Sequence, residues 1–177
     1  MTGYPGGLEN AEIKRKNRGH RVHYGPDFDG RPAHLNEAPM RIEYRLEKQL
    51  EPRQVMALYQ EAGWLNGNET EADIARMLSG SFAVMAAFDA EDGRLLGMMR
   101  ALSDGCSDAY MLDLVVRGEY RFQGIGREIA TRLSNYLASL GIDWIVCIGA
   151  PGTEAFYSRT DSCRVMEGHT PYRWNQK

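Results

Sequence analysis

The segment that most restricts this chain runs from Met111 to Ile148. An apolar run, Met111-Leu112-Asp113-Leu114-Val115-Val116, reads as a strand. A turn rich in Gly and Arg follows. Then Ile125, Ile129, Leu133, Tyr136, Leu137 and Leu140 fall on one helical face, with Arg127, Glu128, Thr131, Arg132 and Asn135 on the other. Gly141 stops that helix, and Trp144 to Ile148 reads as a buried strand. Strand, helix and strand make a β-α-β crossover, so two strands of one sheet run parallel with a helix packed against them.

The rest of the chain must fit around that unit. Ile42, Tyr44 and Leu46 alternate with charged residues, as on a half-buried strand. Pro52 opens a helix carrying Val55, Met56, Leu58, Tyr59 and Ala62, stopped by Gly63. Thr70 and Asp73 form a capping pair for a second helix, which ends at Gly80. Phe82 to Phe88 reads as a buried strand, Asp92-Gly93 as a hairpin turn, and Arg94 to Leu102 as the returning strand. Ser103-Asp104-Gly105 turns again into Tyr110 to Val116. After Ala150-Pro151-Gly152, a short helix is expected from about Thr153 to Arg159, then an extended tail from Arg164 to Trp174. The fold class expected is α/β (α+β): a mixed, largely antiparallel central sheet flanked by helices.

Composition sets the outer bounds. The 177 residues, 43% hydrophobic and 25% charged, suit one globular domain. Residues 1–39 read as an irregular N-terminal extension, and residues 40–177 as the folded domain. Within the extension, Lys14, Arg15, Lys16, Arg18 and Arg21 lie close to His20 and His23. A solvated polar arm accounts for them, with a phosphate- or nucleic-acid-binding arm as the rival. The whole chain carries 24 acidic and 21 basic residues, a formal net charge of -3, which disfavours wholesale nucleic-acid binding. The longest apolar run, Phe82 to Phe88, is far short of the roughly 20 residues that cross a bilayer, so no membrane partner is expected. Cys106, Cys147 and Cys163 lack metal spacing and read as free thiols in a reducing cytoplasm. His20 and His23 would supply only two ligands, so no metal site is expected.

Chemistry concentrates in the turn before the long helix. The first turn of a helix carries backbone N–H groups without intrahelical partners, at the positive end of its dipole. Glycines there let a phosphate approach the backbone, and Arg121 and Arg127 add charge. Neither G-x-x-x-x-G-K-[ST] nor a complete G-x-G-x-x-G is present, since residue 129 is Ile.

Arg121-Phe122-Gln123-Gly124-Ile125-Gly126 matches in full the R/Q-x-x-G-x-G/A motif of the GNAT superfamily of acyl-CoA-dependent N-acetyltransferases, and residues 40 to 174 resemble that superfamily. Asp113-Leu114-Val115-Val116 looks like the strand of its amine-modifying members, and Phe156-Tyr157 falls where the family commonly places a tyrosine. The resemblance implies acetyl-CoA as co-substrate. Its pyrophosphate would lie on the backbone of Phe122, Gln123, Gly124, Ile125 and Gly126, helped by Arg121 and Arg127. Its pantetheine arm would lie along Leu114, Val115 and Val116, whose backbone would polarise the thioester carbonyl. Tyr157 would protonate the leaving thiolate. The Gly-Phe element usual after that tyrosine is replaced by Ser158-Arg159-Thr160-Asp161-Ser162.

Other polar residues keep two readings. Asp113, a carboxylate in an apolar strand, either binds or deprotonates a substrate ammonium or is paired, for example with Arg100. Arg100 either holds a substrate carboxylate or forms that salt bridge. Tyr110 stands where some members place a carboxylate base. Trp64 lies in the loop that helps form the family's acceptor pocket. Cys106 sits beside Asp104 and Asp108, which oppose a reactive thiolate. The activity expected is acetyl transfer to a primary amine of a small polyamine-, aminoglycoside- or amino-acid-like molecule, directly in a ternary complex. The alternative is a catalytically weak CoA-binding module. Dimerisation is a family expectation.

Overall fold

The computed structural model describes residues 40–160 and 163–173. The extension expected over residues 1–39, with its basic cluster and His20 and His23, lies outside the described residues. Five strands form the sheet: β1 (Ile42–Leu46), β2 (Ala83–Asp89), β3 (Leu95–Ser103), β4 (Asp108–Val116) and β5 (Trp144–Cys147). They lie side by side in chain order. The first four are antiparallel neighbours, and β4 and β5 are parallel. Helix α3 (Ile125–Ser139) makes the crossover between the parallel pair. Helices α1 (Pro52–Glu61) and α2 (Glu71–Gly80) follow β1, and the short α4 (Glu154–Tyr157) follows β5.

Strand alternation divides the core into two layers. Ala83, Met85 and Ala87 join Met99, Ala101, Ala109 and Met111 under α3. Val84, Ala86 and Phe88 join Leu95 and Met98 under α1 and α2. Ile125, Ile129, Leu133 and Leu137 recur every fourth residue of α3, and each is almost wholly buried. Pro52 occupies the first turn of α1, where its missing N–H costs nothing. Thr70 and Asp73 close a capping box on α2: Asp73 N–H donates to Thr70 Oγ1 at 3.2 Å, and Thr70 N–H to Asp73 Oδ2 at 3.0 Å.

Several expectations need correction. The strand over Trp144–Ile148 is not buried: β5 is an edge with a sheet neighbour on one side only among the described residues, Trp144 is exposed, and Ile145 to Cys147 are half-buried. Leu140 is exposed rather than on the core face, because it caps α3 beyond the sheet. The third strand of the meander begins at Asp108, two residues before Tyr110. The tail, expected to be extended from Arg164 to Trp174, is interrupted by a turn at Glu167–Gly168.

Candidate active site

The site is built where β4 changes its pairing. Met98 pairs with Val115 and Arg100 with Leu112, so Asp113 and Leu114 stand together opposite Met99. This is a β-bulge, and Asp113 takes the left-handed conformation, φ +57°. The extra residue reverses the alternation. Ala109 and Met111 face α3 before the bulge; Leu114 and Val116 face α3 after it, while Val115 packs under α1 and α2. Gly97 permits the close approach of β3 here, since a Cβ on it would lie 2.7 Å from the Val115 carbonyl oxygen.

From Leu112 onward, β4 also loses its parallel neighbour. The β4–β5 ladder runs from Asp108↔Trp144 to Met111↔Cys147 and stops. Leu112, Val115 and Val116 are therefore paired with β3 alone, and the backbone edge of β4 on the β5 side has no strand partner from Leu112 onward. Backbone groups freed in this way need a partner.

The turn after Val116 is tied down at its start. Glu61, the last residue of α1, accepts from Arg117 Nη1 at 2.7 Å and from Gly118 N–H at 3.1 Å. Arg117 Nε donates to the Leu95 carbonyl at 2.7 Å. A single 3₁₀ turn, Gly118–Tyr120, leads to the motif. Arg121 Nε donates to the Val116 carbonyl at 3.0 Å, and Gln123 Nε2 to the Glu119 carbonyl at 3.2 Å. Gly124 caps α3 with φ +87°, a conformation open to glycine. Among the described residues, none of the backbone N–H groups of residues 122–127 has a hydrogen-bond partner. A Cβ on Gly124 would meet nothing within 4 Å, and one on Gly126 would stand 3.4 Å from Val116 Cγ2, ordinary contact. A bare, outward row of N–H groups at a helix start suits a diphosphate, so the residues fit the pyrophosphate of acetyl-CoA.

Asp113 is engaged. Arg100 Nε donates to its Oδ2 at 2.5 Å, and the Tyr59 hydroxyl donates to the same oxygen at 3.0 Å. Burial, with the Asp113 carboxylate next in effect, raises the pKa of Tyr59. Of the two readings for Arg100, the geometry supplies the salt bridge. Asp113 forms one wall of a cleft of about 380 Å³ between α1, α2 and β4, lined also by Tyr59, Trp64, Leu65, Glu69 and Met77. The Trp64 ring meets Tyr59 edge-on, with centroids 5.2 Å apart.

Tyr157 ends α4, close to where β5 leaves the sheet. Its ring lies over Gly149; a Cβ there would stand 3.1 Å from the ring. Burial, then the neighbouring Cys147 and Cys163 thiols and Tyr110, push its pKa up to about 12. Tyr110 pairs with Val146 of β5, on the Tyr157 side of the site. Cys147 is itself held above the ordinary thiol range by burial. Sequence reasoning missed Tyr59, Glu61 and the Cys147–Cys163–Tyr157 grouping. Tyr59 carried one signal: a hydroxyl on an apolar helical stripe must find a partner.

The model of the Acetyltransferase (GNAT) family matches residues 44–160, about two thirds of the chain. The chain belongs to the GNAT acetyltransferase family. Acetyl-CoA is the acyl donor of that family, and this member is an acyl-CoA-dependent acetyltransferase. No curated protein matches. Solved structures share the fold. A GNAT-family acetyltransferase from Streptococcus pneumoniae is 23% identical, with a TM-score of 0.61, over 77% of this chain and 99% of that one. Glucosamine-6-phosphate N-acetyltransferase from Arabidopsis thaliana is 14% identical, with a TM-score of 0.56, over 75% and 98%. An aminoglycoside acetyltransferase from an uncultured soil metagenomic sample, solved with sisomicin, is 18% identical, with a TM-score of 0.58, over 78% and 97%. No helix among the described residues is long and apolar enough to cross a membrane.

Proposed function

We propose that this GNAT member transfers the acetyl group of acetyl-CoA to a primary amine of a small molecule, directly and within a ternary complex, in the cytoplasm. The observation that carries the reading is the parting of β4 from β5 after Met111 and Cys147, beside the unpartnered N–H groups of residues 122–127. The three free cysteines agree with a reducing compartment.

When bound, acetyl-CoA supplies an activated acyl thioester. The chain supplies the rest. The N–H groups of residues 122–127, with Arg121 and Arg127, hold the diphosphate. Freed backbone groups between Leu114 and Val116 hold the pantetheine arm and offer a hydrogen bond to the acyl oxygen. Tyr157 remains protonated at neutral pH, with a pKa of about 12, and holds the proton that the leaving sulfur requires. Asp113 Oδ2 is taken by Arg100 and Tyr59, which leaves Oδ1 to face an ammonium in the cleft. Trp64 forms a wall of the acceptor cleft, while Tyr110 borders the Tyr157 side. Cys147 stays a thiol under its raised pKa, so direct transfer is favoured over a covalent acetyl-enzyme.

The test is a panel of primary amines incubated with acetyl-CoA, with products read by mass spectrometry, alongside calorimetry on Arg121→Glu/Gly124→Asp. Acetylated amine and loss of CoA binding in the double variant are expected. Tight CoA binding without acetylation of any amine would leave a CoA-binding module in place of an enzyme acting on amines. Undiminished CoA affinity in the folded double variant would remove the turn as the binding site.

A further inference from the structure

Phe122 does something no packing argument explains. It is one of two non-glycine residues among the described residues with positive φ, at +64°. The other, Asp113, is held by an ion pair and a hydrogen bond; Phe122 has its ring fully exposed. A bulky side chain is disfavoured in the left-handed conformation, and an exposed ring recovers none of that by burial. Glycine would avoid both penalties. The strain is held from both sides, because Arg121 is tied to the Val116 carbonyl and Gln123 to the Glu119 carbonyl. Strain of this kind persists where a ligand uses it.

The position names the ligand. Phe122 begins the row of free N–H groups at residues 122–127. A diphosphate seated on that row has two substituents. One would run along the part of β4 that β5 no longer pairs, so the other leaves across the turn. In acetyl-CoA the outward substituent is a nucleoside. A flat apolar ring held out beside a diphosphate site suits a purine face, since every base has one. We propose that the Phe122 ring is the stacking platform for the adenine of acetyl-CoA, a role of the side chain distinct from that of the backbone N–H groups. It rests on the donor-binding reading above.

Phe122→Gly and Phe122→Trp decide it. Phe122→Gly relieves the left-handed strain, so its melting temperature is expected to be unchanged or higher. Its acetyl-CoA affinity by calorimetry is expected to fall by roughly 5- to 150-fold, the range of base–aromatic stacking. Phe122→Trp is expected to bind like the wild type. CoA carrying a fluorescent etheno-adenine supplies the second reading: base emission quenched on the wild type and on Phe122→Trp, and recovered on Phe122→Gly. Wild-type affinity and quenching in Phe122→Gly would overturn the stacking role while leaving the donor site intact. A wild type that binds no acetyl-CoA would overturn the donor site, and this role with it.

Discussion

Asp113 and Tyr157 are both single polar groups in apolar surroundings, and the structure gives them opposite employment. Asp113 is fixed. Its side chain is about a quarter exposed and that of Arg100 less, 26% and 14%. Removing the carboxylate would strand a mostly buried guanidinium and the Tyr59 hydroxyl together. Asp113→Ala should therefore lower unfolding free energy by about 2–4 kcal/mol in urea titration, near the cost of breaking a buried pair. Tyr59→Phe, which takes one donor away, should cost about 1 kcal/mol. Tyr157 has no comparable anchor, since its neighbours are two thiols and a tyrosine. Tyr157→Phe should lower kcat by roughly 100-fold, the lower range for losing a general acid, and leave acetyl-CoA affinity unchanged in calorimetry. The pH dependence has a definite sign. A phenol raised to about 12 is neutral throughout the physiological range and ionises only above its ordinary value of 10.0. Stability that favours the neutral phenol is complete below pH 10 and is lost as pH climbs toward 12. Between pH 6 and 9, wild-type kcat should show no descending limb from this group. A descending limb in that interval that vanishes in Tyr157→Phe would contradict the assignment.

Among elements, the strand–turn–helix over residues 111–139 was legible because its signals are local. Apolar alternation, glycines at the turn and a 3.6-residue stripe each act within a few residues. The capping box of α2 was legible for the same reason. The bulge was not. It depends on register between β3 and β4, and its special conformation falls on Asp113 rather than on a glycine that would have marked it. Arg100 and Asp113 could be named as a pair, but Tyr59 comes from α1, 54 residues away in sequence. Glu61 was invisible on the same grounds: an exposed-looking acid at a helix end becomes the clamp of a turn 57 residues on. That clamp is testable. Glu61→Ala leaves Arg117, whose side chain is only 15% exposed, without its carboxylate partner. A loss of about 1–2 kcal/mol in stability is expected, discounted for the partly exposed Glu61. The turn then wanders relative to β4, and KM for acetyl-CoA should rise by several-fold with kcat nearly unchanged. An equal fall in kcat would mean that the clamp also sets the acyl carbon against the acceptor.

For the whole molecule, residues 1–39 are expected to be dispensable for the fold and the donor site. The expected division at residue 40 leaves 138 residues to carry the sheet, both core layers and every candidate site residue. A solved chain of about that length has the same fold: the Streptococcus pneumoniae structure is matched over 99% of its length by 77% of this chain. Sequence arithmetic points the same way. Residues 1–39 contain six Lys and Arg against five Asp and Glu, so their removal changes the net charge by about one. Their removal takes the formal net charge only from -3 to about -4. A fragment of residues 40–177 should therefore unfold in a single cooperative transition and bind acetyl-CoA within about twofold of the full chain. If the basic cluster at residues 14–21 instead holds an anionic partner, the full chain alone should bind nucleic acid, with affinity falling steeply as salt rises. Loss of acetyl-CoA affinity in a folded 40–177 fragment would place the N-terminal residues in the donor site and overturn the division at residue 40.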